Sequence, residues 1–224
     1  MKQIKNCTLL FVFFISSYSN LYSQKLVPFD ISFQLIGIKS LEKLNDIQIE
    51  TCKFYISNIK FNSNSSVLYG NSNFYKLIDF KSDTSVVITT QIPSNIYVDA
   101  ISFDLGIDSN VNKQGIQGGD LDPTMGMYWS WQSGYINFKL EGISPKCNTR
   151  KNKFQYHIGG FTADQYPLQT INIHKTNKNN ASIAIDLITF FNYIALDKEP
   201  SIMIPGKRAV ELSNIVKSMF SASK

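Results

Sequence analysis

Histidine is almost absent from this chain: His157 and His174 are the two imidazoles among 224 residues. That count excludes a zinc site of three histidines and leaves a serine-type triad little to work with. The sequence has no G-x-S-x-G, no H-E-x-x-H, no phosphate-binding glycine loop and no Cys-x-x-Cys. A carboxylate-pair hydrolase stays open, because two acids can meet from anywhere in a chain. Charge is scarce as well, at 17% of residues, and no Lys/Arg-rich run occurs, so nucleic acid is not an expected partner. Cysteine is limited to Cys7, Cys52 and Cys147.

The apolar run Leu9–Ile15 is too short to span a bilayer, which takes about 20 residues. It follows Lys2 and Lys5 and precedes a polar stretch ending in Leu21-Tyr22-Ser23, the pattern of an export signal. Cleavage is expected near Ser23, giving a signal peptide over residues 1–23 and a single domain over 24–224, with no transmembrane span. Cleavage removes Lys2 and Lys5 and no acid, so the net charge of +5 becomes +3. The destination is the periplasm, the extracellular space or the cell surface. In such an oxidising compartment Cys52 and Cys147 are either a disulfide or two buried thiols, and both readings stay open.

Short β-like stretches punctuated by turns fill the rest. Phe29–Leu35 alternates as a first strand, and Leu41–Asp46 reads as a turn. Ile47–Phe61 is a long β run with parity slips at Thr51–Lys53, which a bulge would explain. Val67–Tyr69, Phe74–Phe80, Thr84–Thr90 and Ile96–Gly106 follow as strands. Asp108–Met127 is long and glycine-rich, and a loop of that length in a compact domain tends to carry function. Ile136–Leu140, Phe154–Ile158, Leu168–His174 and Ala181–Phe191 read as further strands. Leu212, Ile215, Val216, Met219 and Phe220 are spaced three and four apart, as on one face of a short helix. The expected fold is all-β: a β-sandwich of about nine or ten short strands with long loops and a short C-terminal helix.

The densest stretch is Gly118–Gly142, which holds both tryptophans, Trp129 and Trp131, together with Met125, Met127, Asp120 and Asp122. Its core, MGMYWSWQSGYINFKLEG, resembles the central motif of the MbnP-like family, exported copper-associated proteins related to methanotroph surface copper-binding proteins. FYISNIKF at 54–61, YKLIDF at 75–80, FDLGID at 103–108, FQYHIGG at 154–160 and the closing PGKRAVELSNIVKSMF resemble the same family and run in its order. The resemblance implies a mostly β, non-enzymatic, exported protein that binds copper or hands it on. It also implies a dihaem peroxidase-like partner that oxidises a tryptophan to kynurenine, with the modified residue joining histidine at copper. Trp129 and Trp131 are the matching positions, and which of them is modified stays open. No histidine lies near them in sequence, a departure from the copper-binding relatives.

Copper takes imidazole and thioether donors in preference to oxygen alone. His157, inside the family-like FQYHIGG, is the favoured ligand, with a satisfied structural imidazole as the alternative. His174 ends a strand beside a lysine and is less suited. Met127 offers a thioether, or fills a gap against the tryptophans. Trp129 and Trp131 either line the metal site or form a packing plug. A calcium site is a weaker expectation. Asp108-x-Asn110-x-Asn112 starts like an EF-hand loop but places Lys113 and Gly119 where glycine and glutamate are needed. Asp108, Asp120 and Asp122 are then either an irregular oxygen site or turn caps. Two other functions remain in play: a structural or interaction sandwich without metal, and a carbohydrate-binding surface module using some of the 11 tyrosines.

Overall fold

The structure is a computed structural model that describes residues 25–37, 46–81, 83–174 and 179–223. The expected leader and residues 41–45 of the expected turn lie outside them. In chain order the first half comprises β1 (Leu26–Ile36), β2 (Gln48–Ser63), β3 (Ser66–Asp79), β4 (Ser85–Pro93), β5 (Ala100–Leu105) and α1 (Ser109–Gln114). Next come β6 (Tyr128–Ser130), β7 (Gly134–Ile143), β8 (Lys153–Gly159), β9 (Gln169–His174) and β10 (Asn180–Asp186). The chain closes with α2 (Leu187–Tyr193), β11 (Ser201–Ile202), α3 (Lys207–Ser218) and β12 (Phe220–Ala222).

These strands make a two-sheet sandwich. The smaller sheet has the order β12-β10-β1-β4, with β1 and β10 parallel. The larger runs β11-β8-β7-β2-β5-β9, with β3 added to β2 and β6 to β7. Strand β2 organises the larger sheet. Its partner β3 follows Lys53–Ser63 along one edge, through a two-residue turn at Asn64 and Ser65, both at positive φ. The other edge is shared: β7 pairs with Gln48–Phe54 and β5 with Ile56–Asn62. Asn137, buried where β7 leaves this edge, accepts a hydrogen bond from Ile107 N at 3.1 Å just beyond the end of β5.

Alternation along the strands sends one set of side chains between the sheets. Phe33 meets Phe54 at 5.6 Å and Phe29 meets Phe61 at 5.1 Å, both edge to face across the two layers. Phe154, Tyr156 and Ile158 of β8 join the same core. Helix α3 buries Leu212 and Val216 against it. The expected C-terminal helix is therefore present, and it ends in β12, which closes the edge of β10.

Several expected boundaries differ from those found. Val67–Tyr69 and Phe74–Phe80 belong to a single strand, because pairing with β2 carries the backbone across the polar residues between them. The expected strand Ala181–Phe191 stops at Asp186. That carboxylate accepts from Ile188 N at 2.9 Å and Thr189 Oγ1 at 3.2 Å, and so starts helix α2. The Asp108–Met127 segment is not structureless: it contains α1 and two short 3-10 turns, Gly119–Leu121 and Pro123–Met125. Twelve strands are found among the described residues, more than the nine or ten expected. The surplus comes from the short strands β6, β11 and β12, whose existence depends on a neighbour rather than on pattern.

Candidate functional site

The site lies on the outer face of the larger sheet, opposite the main core. Lys53 and Tyr55 of β2, Asn137, Lys139 and Glu141 of β7, and Gln155 and His157 of β8 alternate with the core residues and face outward. The segment from Ile107 to Ser133 folds over this face. Beneath it Tyr55, Ile107, Leu121, Met127, Tyr135 and Ile136 form a second, smaller core. Tyr55 and Tyr135 pack edge to face at 5.9 Å. The Tyr55 hydroxyl donates to Asp120 O at 2.8 Å, and the Tyr135 hydroxyl donates to Leu121 O at 2.9 Å. Each tyrosine thus sits in the small core and tethers the covering backbone at once.

Two lysines hold the next part of the cover. Lys53 and Lys139 are directly opposite on β2 and β7, an unfavourable placement for like charges. Each has its own relief. Lys53 pairs with Asp79 at 3.0 Å and donates to Met125 O; Lys139 donates to Gly126 O at 3.2 Å and lies 3.7 Å from Glu141. Both ammonium groups therefore grip the backbone just before Met127. After it, β6 pairs with the start of β7 and brings the tryptophan core onto the sheet. The turn returns at Gly134, φ +74°, where a Cβ would run into the Asn112 amide. That amide is already committed: its Oδ1 accepts from Tyr135 N at 2.8 Å and its Nδ2 donates to Ile107 O at 3.0 Å.

Trp129 reaches across to β8. Its ring centroid is 6.4 Å from that of His157, with the planes inclined at 40°. His157 is 6% exposed, because the cover shields a face that strand alternation alone would leave to solvent. Its Nε2 is 2.7 Å from Glu141 Oε1, while its Nδ1 is buried with no hydrogen-bond partner. Gln155 Nε2 donates to the same carboxylate oxygen at 3.3 Å. The hydrogen bond from His157 and, less strongly, the Lys139 charge and the Gln155 amide hold the Glu141 carboxyl down to about 2, against a smaller opposing effect of burial.

The remaining expected residues are dispersed. Trp131 is 75% exposed, in the turn after β6. Met127 is fully buried in the small core, where its side chain packs with the tyrosines. His174 is exposed at the end of β9 and lines a separate polar hollow of about 490 Å³ with Asn62, Asp99, Ser102 and Asn172. Asp108 caps α1 and accepts from the Tyr75 hydroxyl at 2.7 Å. Asp120 pairs with Lys76 at 2.9 Å and accepts from Leu77 N. Asp122 caps the turn at Thr124. The three carboxylates are thus engaged separately, and among the described residues no three His, Cys, Asp or Glu side chains stand together as for a metal ion. Cys52 and Cys147 are both buried and unbonded to one another. Cys52 faces the main core from β2, and Cys147 lies in the loop after β7. Burial pushes the Cys52 thiol up to about 12.

Sequence reasoning passed over Glu141. Its outward alternation was legible, but its partner lies one strand away, and that pairing register is not written in either strand.

A sequence profile of the MbnP family matches residues 21–204. The chain belongs to the MbnP family. Among solved structures, MbnP from Methylosinus trichosporium has a similar fold, with a TM-score of 0.56 and 15% identity over 75% of this chain and 78% of that one. At that identity the likeness speaks for the fold, and it agrees with the all-β sandwich described above. No curated protein matches the chain. The MbnP match spans the tryptophan core, Glu141 and His157, and ends just before α3.

Copper, which the MbnP resemblance implies, can be tested against these donors. A buried imidazole with one unpartnered nitrogen fits a copper ligand. Indole has no ring lone pair to offer, and Met127 is enclosed by apolar and tyrosyl side chains. The fit is therefore to an ion held by few protein donors around His157, not to a closed cage.

Proposed function

We propose that this MbnP-family protein is exported, is not an enzyme, and handles copper at the Trp129–His157 pair, either binding the ion or passing it to a partner. The observation that supports this most directly is the approach of a shielded imidazole, one nitrogen unpartnered, to an indole of the Trp-x-Trp core. Copper would contribute one-electron redox chemistry and an affinity for nitrogen and sulfur donors. His157 would hold it. Trp129 would first be oxidised to kynurenine by a dihaem peroxidase-like partner with peroxide as the oxidant, which cleaves the indole C2–C3 bond, is itself reduced to water, and lets the former C2 leave as formate. Opening the five-membered ring converts a side chain with no ligand atom into one with an aromatic amine and a ketone beside His157. Trp129 is favoured over Trp131 for this role because it is the indole that adjoins the imidazole, whereas Trp131 projects into solvent.

The test is intact mass and peptide mapping of mature protein from its native host, followed by copper titration with metal analysis. Kynurenine at Trp129 and copper uptake lost in His157→Ala but kept in His174→Ala are the expected results. An unmodified chain that takes up no copper, alongside a host-modified one that also takes up none, would overturn this reading in favour of a metal-free structural, interaction or carbohydrate-binding domain.

A further inference from the structure

His157 has two ring nitrogens in different surroundings. Nε2 is 2.7 Å from Glu141 Oε1; Nδ1 is buried and meets no donor or acceptor. An ionised carboxylate accepts hydrogen bonds and donates none, so this contact places a proton on Nε2. Glu141 is well arranged to stay ionised, with Lys139 at 3.7 Å and Gln155 at 3.3 Å both directed at Oε1. A second proton, on Nδ1, would create a buried donor with nothing to receive it. It would also add positive charge directly opposite Lys139, the cross-strand neighbour of His157. The arrangement that leaves no buried donor of the ring unpartnered has the proton on Nε2 and the lone pair on Nδ1.

This is the pattern in which a carboxylate orients a metal-ligating imidazole: one nitrogen is held, which fixes the tautomer and the ring plane, and the other is left open. We propose that Glu141 is a positioning residue that locks His157 as the Nε2–H tautomer, making Nδ1 the nitrogen that receives the metal. The proposal rests on the copper function above, but the tautomer can be read without metal. Strand register supplies the geometry. Glu141 lies opposite Gln155 and Lys139 lies opposite His157, so the Glu141–His157 contact is a diagonal one across β7 and β8. A slip of one residue would turn Glu141 toward the main core.

Long-range proton–nitrogen NMR on ¹⁵N-labelled, metal-free protein tests this directly, with His174 as the internal comparison. His157 should show a protonated Nε2 and an unprotonated Nδ1 in the wild type and in Glu141→Gln, which keeps an oxygen acceptor. Glu141→Ala should release the tautomer and lower Cu(I) affinity by about 10- to 100-fold, with Glu141→Gln falling between it and the wild type. Cu(I) should move the Nδ1 resonance. A proton on Nδ1 in the metal-free wild type, or Cu(I) acting on Nε2, overturns the proposal while leaving copper handling in place. Absence of any Cu(I) effect on His157, in unmodified and host-modified protein alike, overturns both. If Glu141→Ala does not fold, the wild-type and Glu141→Gln spectra still decide the tautomer.

Discussion

Trp129 rests on the backbone of Gly159: a Cβ built at that glycine would stand 2.8 Å from Trp129 Cζ3 and would also strike the Tyr135 carbonyl. The absence of a side chain on β8 is what lets the indole lie down beside His157. Gly159→Ala should therefore lift Trp129 and cost about 1–3 kcal/mol, as overpacking of a closed contact does. Urea unfolding gives the stability. Emission in a Trp131→Phe background reports Trp129 alone and should shift to the red. An unchanged midpoint and spectrum would mean that the contact is slack.

The two indoles should separate cleanly by accessibility. Trp131 is 75% exposed, whereas Trp129 is shielded in part by β8 and the small core. Acrylamide should quench wild-type fluorescence in two components. Trp131→Phe should remove the readily quenched one, and Trp129→Phe the protected one. Equal quenching in both variants would contradict the placement of β6.

Cys52 and Cys147 should behave as protected thiols. Burial raises both above the ordinary thiol value, so little nucleophilic thiolate is available in the native state. In mature protein an aromatic disulfide reagent should react slowly until denaturant is added, then titrate two thiols. No reactive thiol in denaturant would reveal a disulfide instead.

Glu141 should make stability depend on pH in a defined direction. Its folded value, about 2, lies below its ordinary value of 4.5. A depressed carboxyl stabilises the fold above the unfolded value and loses that contribution as pH falls toward the folded one. Between about pH 5 and pH 3, metal-free wild type should lose stability faster than Glu141→Gln, by about 1–2 kcal/mol as an upper bound, reduced by solvent screening of the partly exposed carboxylate. Urea midpoints at the two pH values provide the check. Parallel curves for the two proteins would show that Glu141 is not held ionised.

Much of the sandwich was legible in advance because alternation is a local property. The apolar sets of β1, β7 and β8, the turn signals, and the three-and-four spacing of Leu212, Val216 and Met219 can be read within a few residues. Helix α2 was missed because Leu187 and Phe190 continue an apolar run, and the capping role of Asp186 shows only once the backbone turns. The site was legible as a list of residue types, Trp129 and His157 among them, but not as a set. Met127 turned inward, Trp131 outward, and His174 to a different hollow.

The chain's own pattern determined its class and its unusual chemistry: all-β, few charges, two imidazoles, and a tryptophan core resembling that of the MbnP family. Tertiary structure alone decided that Trp129 meets His157, that Glu141 holds one imidazole nitrogen, and that the other is left without a partner. The physical reason is that these contacts depend on the register of β7 against β8 and on a cover tethered by Tyr55, Lys53 and Lys139. Such long-range pairings are set by how the whole sheet closes, and no single stretch of sequence encodes them.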